Sequence, residues 1–144
     1  MENNNLKLLI VEDENAIAML IKNLVDFEGL GLEFCGIAGD GIQGLEKMRE
    51  HHPDIIITDI SMPNMTGIDM ITQAREEGLG GRFIISSGLQ QFRYAMSAIN
   101  MGVSGYILKP VNRDELNNLL EDIIMKIGRA DVFLDAHTHA PSII

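Results

Sequence analysis

Long apolar runs, clustered basic residues and paired cysteines are what this sequence of 144 residues does without. No apolar stretch approaches the ~18 residues needed to span a bilayer, so a soluble protein is expected. The start, Met1 to Asn5, has neither the basic region nor the apolar region that directs secretion, and a cytoplasmic address follows as an expectation. The lone cysteine, Cys35, cannot make an internal disulfide, in agreement with a reducing compartment. Set among Phe34, Gly36 and Ile37, it is expected to be a buried structural thiol. Basic residues number 11 against 21 acidic ones, a net charge of -10, which argues against a domain that grips a nucleic-acid backbone directly. What remains is an ordinary globular composition, 46% apolar and 22% charged, with enough chain for one core.

Short apolar runs recur at Lys7 to Val11, Glu33 to Ala38, Ile55 to Thr58, Arg82 to Ile85 and Gly105 to Leu108. Several lack clean alternation, the pattern of parallel strands covered on both faces. Between them lie helical stripes: Ile17, Leu20, Ile21 and Leu24; Phe92, Ala95, Met96 and Ile99; Leu116, Leu119, Leu120, Ile123, Ile124 and Ile127. Helix starts are signed by Asp40 three before Gln43, Thr66 three before Asp69 and Asn112 three before Glu115. Strand and helix alternating in this way predict an α/β fold, a doubly wound, five-stranded parallel sheet with helices on both faces. The order 2-1-3-4-5 suits five strands and is taken from known doubly wound sheets rather than read from these residues.

In such sheets ligands bind beyond the carboxyl ends of the strands. The first strand runs into Glu12 and Asp13, the third into Asp59, the fourth ends at Ser87 and the fifth at Lys109. With strands one and three as neighbours ~4.8 Å apart, the three carboxylates must converge. Either some stay protonated, or a hard cation such as magnesium neutralises them. Lys109 stands roughly 10 Å of sheet from Asp59, a gap its arm can largely cross, and Ser87 between them offers a hydroxyl. A carboxylate nucleophile, a cation, an ammonium and a hydroxyl facing one point are what phosphoryl transfer needs. Asp59, alone at the centre of the edge, is the candidate acceptor, whereas the adjacent Glu12 and Asp13 suit metal holding.

The sequence resembles the receiver domain of bacterial two-component response regulators over residues 6 to 128. The resemblance rests on Leu8-Leu9-Ile10-Val11-Glu12-Asp13-Glu14, on Pro53-Asp54-Ile55-Ile56-Ile57-Thr58-Asp59-Ile60-Ser61-Met62-Pro63-Asn64-Met65-Thr66-Gly67, on Ser87-Gly88 and on Gly105-Tyr106-Ile107-Leu108-Lys109-Pro110. It implies a phosphoacceptor signalling switch: a sensor histidine kinase donates a phosphoryl group to Asp59, with Mg2+ held by Glu12, Asp13, Asp59 and the backbone carbonyl of Ser61. It further implies that Ser87 turns toward the phosphate and Tyr106 fills the space it leaves. The altered surface is that of the helix after the fourth strand, the fifth strand and the last helix, where such domains form homodimers or meet partners. The bond between Lys109 and Pro110 is expected to be cis. Such a domain is no enzyme beyond its own phosphoryl transfer and dephosphorylation. Glu12 stands where aspartate is commoner and Ser87 where threonine is commoner; Ser86 could be mistaken for the switch hydroxyl, but Gly88 favours Ser87. The run from Ser87 to Ala95 looks like receivers joined to AraC-type DNA-binding domains, pointing to transcription as the output.

Blander readings compete. Glu12, Asp13 and Asp59 could each be a helix cap or a solvated loop acid, and Tyr106 a half-buried packing residue. A haloacid-dehalogenase-like phosphatase also uses an Asp nucleophile with Ser or Thr and Lys, but places it after the first strand with a second Asp two positions on, where this chain has Ser61 after Asp59. A flavodoxin-like carrier needs a phosphate loop that Glu12-Asp13-Glu14 would repel. Beyond Gly128, residues 129 to 144 read as a C-terminal tail or linker stub, in which Asp135, His137 and His139 make a poor metal cluster. The tail is too short for a DNA-binding module, so the chain is expected to be a stand-alone receiver or, better, one excised from a longer regulator whose output domain is missing here.

Overall fold

The computed structural model describes residues 5–91 and 102–139. Five strands, β1 (Leu6–Val11), β2 (Leu32–Ala38), β3 (Ile55–Thr58), β4 (Arg82–Ser87) and β5 (Gly105–Leu108), form one sheet in the order β2-β1-β3-β4-β5. Every neighbouring pair is parallel, with Val11 beside Thr58 and Ser87 beside Leu108 at the carboxyl edge. The expected order is therefore the one observed.

Period-two alternation divides the strand side chains between two cores. Leu9, Val11, Ile56, Phe83 and Ile85 pack with Leu45 and Met48 of α3 (Gly41–His51) and with Met70, Ile71 and Ala74 of α4 (Gly67–Glu76). Leu8, Ile10, Ile55, Ile57 and Ile84 face the other way, onto Ala18 and Ile21 of α1 (Asn15–Leu24) and Leu116, Leu120 and Ile123 of α5 (Arg113–His139). Burial on both faces explains why the strand sequences are almost wholly apolar; each fully buried Leu or Ile stabilises the fold by roughly 1.5–3 kcal/mol.

All three predicted caps form: Asp40 accepts from Gln43 N at 2.8 Å, Thr66 from Asp69 N at 3.1 Å and Asn112 from Glu115 N at 3.0 Å. A one-turn helix, α2 (Phe27–Leu30), was not anticipated; Asp26 caps it and Gly31, at φ 67°, ends it. The last helix does not stop at Gly128 but continues to His139, so the segment read as a tail begins as helix. An interior glycine costs a helix only about 1 kcal/mol relative to alanine. Cys35 is half-buried rather than buried, packed against the α3–α4 core, and that burial pushes its thiol pKa up, away from reactivity. The stripe Phe92, Ala95, Met96 and Ile99 lies outside the described residues. Among the described residues no helix is long and apolar enough to cross a membrane.

Candidate functional site

The site grows out of the strand ends. Glu12 N donates to Ala38 O of β2 at 2.9 Å and Asp59 N donates to Val11 O of β1 at 3.0 Å, so the sheet ladder carries one residue past β1 and β3 and fixes both acids side by side. Glu12 and Asp59 are buried, and Asp13 is exposed at the mouth. One carboxylate oxygen from each of Glu12, Asp13 and Asp59 lies within 4.8 Å of the others. Lys109 N donates to Ser87 O at 2.8 Å, which anchors the end of β5, and its side chain then reaches back along the edge. Lys109 Nζ stands 2.8 Å from Glu12 Oε1 and 3.3 Å from Asp59 Oδ2. The other Asp59 oxygen, Oδ1, accepts from Ile60 N at 2.7 Å, and Glu12 Oε2 accepts from Glu14 N at 3.2 Å.

Electrostatics follow from this crowding. Burial raises the pKa of Glu12, a shift that the hydrogen bond from Lys109 opposes and the negative charge of Asp59 reinforces. Burial alone would lower the pKa of Lys109, but its hydrogen bond to Glu12 and the charge of Asp59 hold it above the ordinary value. The ammonium is firmly charged. Against it stand three acids, leaving an excess of negative charge. The donor set is all oxygen, Asp13 is open to solvent, and Asp13, Asp59, Ser61 and Lys109 line one open cleft of about 530 Å³. That combination fits a hard divalent cation of the magnesium type, which keeps several waters and takes few carboxylates.

The structure thus brings together Glu12, Asp13, Asp59 and Lys109, with Ser61 on the same cleft. Ser87 is not among its lining residues. Fully buried, its hydroxyl is hydrogen-bonded to the Tyr106 hydroxyl and donates to Gly88 O at 3.4 Å, on the α3–α4 side of the sheet. Ser86 points to the other face, where its buried Oγ has no hydrogen-bond partner. The two serines are therefore distinguished by the pleat, and only Ser87 touches Tyr106. The Lys109–Pro110 bond is cis, as the resemblance implied. Sequence reading gave Asp40 and Asn64 no part in the site beyond a helix cap and a motif position. They meet, with Asn64 Nδ2 donating to Asp40 Oδ2 at 2.8 Å, and Asn64 occupies the left-handed region at φ 67°, which asparagine tolerates better than most.

A doubly wound sheet of this order with clustered acids at its carboxyl edge defines a class, and comparison with known proteins agrees: residues 8–121 match the response regulator receiver domain, and the chain belongs to that family. It is thus a two-component signalling domain. Over 133 residues it is 35% identical to the uncharacterized transcriptional regulatory protein YesN of Bacillus subtilis, covering 92% of this chain and 36% of that regulator. The chain therefore spans about a third of that relative's length. The REC domain of AraT, a response regulator from Geobacillus stearothermophilus, superposes with a TM-score of 0.83 at 31% identity over 88% of this chain and 98% of that one. A chain of the CheX-CheY-BeF3-Mg2+ complex from Borrelia burgdorferi does so with a TM-score of 0.73 at 25% identity, over 82% of this chain and 88% of that one.

Proposed function

We propose that this domain is a phosphoacceptor switch in which Asp59 receives a phosphoryl group from a phosphohistidine of a sensor kinase. The observation that carries the reading is one geometry: three carboxylates within 4.8 Å of one another, with a single ammonium in contact with two of them. A carboxylate oxygen of Asp59 attacks phosphorus through a lone pair, the P–N bond to histidine breaks, and the imidazole leaves, taking up a proton. The Ile60 N–H on Oδ1 and the Lys109 ammonium at Oδ2 orient the carboxylate for that attack. As negative charge spreads over the phosphoryl oxygens, Lys109 pairs with one of them. Glu12, Asp13, Asp59 and the Ser61 carbonyl are the groups that would hold magnesium, and magnesium when bound supplies positive charge beside the incoming phosphoryl group.

The readout runs through Ser87 and Tyr106. Turning toward the phosphoryl group takes the Ser87 hydroxyl from its tyrosine partner, so phosphorylation biases two packings of the same pair. Tyr106 lies on the edge strand β5, on the face opposite α5, and this edge is where an output domain or a second copy would sense the change. The likeness to a transcriptional regulator favours transcription as the output, through a DNA-binding domain elsewhere in a longer chain, with the receiver in the cytoplasm. A haloacid-dehalogenase-like phosphatase is disfavoured, since Asp59 follows the third strand and the matched family is another. To test the reading, the protein is incubated with acetyl phosphate and magnesium and weighed intact. One acid-sensitive phosphoryl adduct is expected, lost in Asp59→Asn; an undiminished adduct in that variant removes Asp59 from the role.

A further inference from the structure

The loop between β3 and α4, residues 60–66, carries Ser61; Ile60 and Met62 reach into the α3–α4 core and Met65 packs against it, while Ser61, Pro63 and Asn64 stay exposed. Three backbone and side-chain links hold it as well. At its base Gly67 N donates to Ile60 O at 2.8 Å, so tightly that a Cβ on Gly67 would come 2.1 Å from Asp59 O. At its outer side Gly41 N donates to Met65 O at 3.3 Å, and a Cβ on Gly41 would come 2.7 Å from the Met65 side chain. Between these, exposed Asn64 donates to Asp40 Oδ2 at 2.8 Å, while the other oxygen of the same buried carboxylate caps α3 through Gln43 N at 2.8 Å. Asp40 itself stands two residues after Ala38, whose carbonyl accepts from Glu12 N.

The strap therefore joins the two loops that supply the acidic cluster, the Glu12–Asp13 loop through β2 and the Asp59–Ser61 loop through Asn64. We infer that Asp40 and Asn64 are positioning residues for the cation site, fixing the Ser61 carbonyl relative to Glu12 and Asp13 although neither touches a reacting atom. Ile60 and Met62 anchor the loop on either side of Ser61, and the strap orders its exposed outer part at Pro63 and Asn64 in advance, which removes that share of the ordering cost from cation binding. The hydrogen bond is charge-assisted, and it falls on the Asp40 oxygen that does not accept from Gln43 N. This inference rests on the magnesium-holding role given to Glu12, Asp13, Asp59 and Ser61 above.

The test reads magnesium binding directly, with no phosphodonor present. Isotope-labelled full chain is titrated with magnesium chloride while the amide resonances of Asp59, Ile60 and Ser61 are followed, and exchange of the Gly67 amide with solvent is measured in parallel. In Asn64→Ala, which leaves the α3 cap intact, the half-saturating magnesium concentration should rise about fivefold and Gly67 exchange should quicken, the consequence of one lost hydrogen bond. Asn64→Asp should do the same, since its carboxylate would face the Asp40 carboxylate acceptor to acceptor. Combining Asp40→Asn with Asn64→Asp restores a donor and an acceptor in reversed order and should return the half-saturation to within about twofold. An Asn64→Ala protein that folds and binds magnesium unchanged overturns the inference, as does a paired substitution no better than Asn64→Asp alone. Phosphoryl uptake at Asp59 by Asn64→Ala at saturating magnesium keeps the two claims separate: its absence from the unsubstituted protein would count against the function, not the strap.

Discussion

Replacing Lys109 by methionine keeps most of the side chain's length and removes an ammonium that lies 2.8 Å from Glu12 Oε1 and 3.3 Å from Asp59 Oδ2. At an effective dielectric constant of ~20 the two contacts amount to roughly 6 and 5 kcal/mol of gross attraction, much of it offset by the cost of taking the charges out of water. The variant leaves Glu12, 2% exposed, without a counter-charge beside two other carboxylates. A carboxylate so placed escapes by taking up a proton. At pH 7 that escape costs about 1.4 kcal/mol for each pH unit above an ordinary value of about 4.3, so the loss of stability levels off at about 3.7 kcal/mol. Burial already holds Glu12 above its ordinary value in the unsubstituted protein, so part of that penalty is present before the change. The expected loss is about 2–3 kcal/mol at pH 7 and about 1 kcal/mol or less at pH 5. The sign follows from a raised folded-state pKa: stability falls as pH rises from the ordinary value through the raised one, and the substitution widens that window. Urea unfolding of both proteins at pH 5, 6 and 7, with a chelator present and circular dichroism as the signal, measures the difference. A loss below about 0.5 kcal/mol at pH 7, or one equal at all three pH values, would refute the reasoning.

Gly67→Ala should destabilise the fold by about 1–3 kcal/mol or more in urea titrations and slow phosphoryl uptake, because its Cβ would meet Asp59 O at 2.1 Å and push the acceptor's own backbone. Tyr106→Phe takes from the buried Ser87 hydroxyl its tyrosine partner, leaving the 3.4 Å contact to Gly88 O, and should cost about 1–2 kcal/mol in the same titrations while leaving phosphorylation of Asp59 in place. On the far side of the molecule Glu77 is held down to about 2 by the paired hydrogen bonds from Arg49, both 2.7 Å, helped by Gln73. Its contribution to stability is present above the ordinary carboxyl range and lost as pH falls toward about 2. Carbon-detected titration of Arg49→Ala should move that carboxyl up toward the ordinary range, and a value left near 2 would show that Arg49 is not the cause.

Much of this architecture could be read in the residues because the strands are short, apolar and evenly spaced, and because Asp40, Thr66 and Asn112 sign their helices by local hydrogen bonds. The convergence of Glu12, Asp13 and Asp59 followed from strand adjacency alone once the order was supposed. Features that depend on long-range contact left no such trace. The link from Asn64 to Asp40 spans 24 positions, and nothing nearby distinguishes that asparagine from a turn residue. The strand ends put Lys109 within reach of Asp59; that its shorter contact is with Glu12 depends on the longer glutamate arm and its burial. The direction of Ser86 and Ser87 is a matter of pleat, decided where β4 pairs with β5. One turn of helix at α2 has too few residues for periodicity to show, and α5 passes Gly128 because its neighbours favour helix on both sides.

The proposed phosphoryl acceptor is the Asp59 carboxylate. An acyl phosphate is reduced by borohydride to an alcohol, so phosphorylated protein treated this way and digested should yield homoserine at position 59 and at no other acid. Homoserine at Asp13 or Glu12's alcohol counterpart in its place, or no reduced residue after verified phosphoryl uptake, would contradict the account.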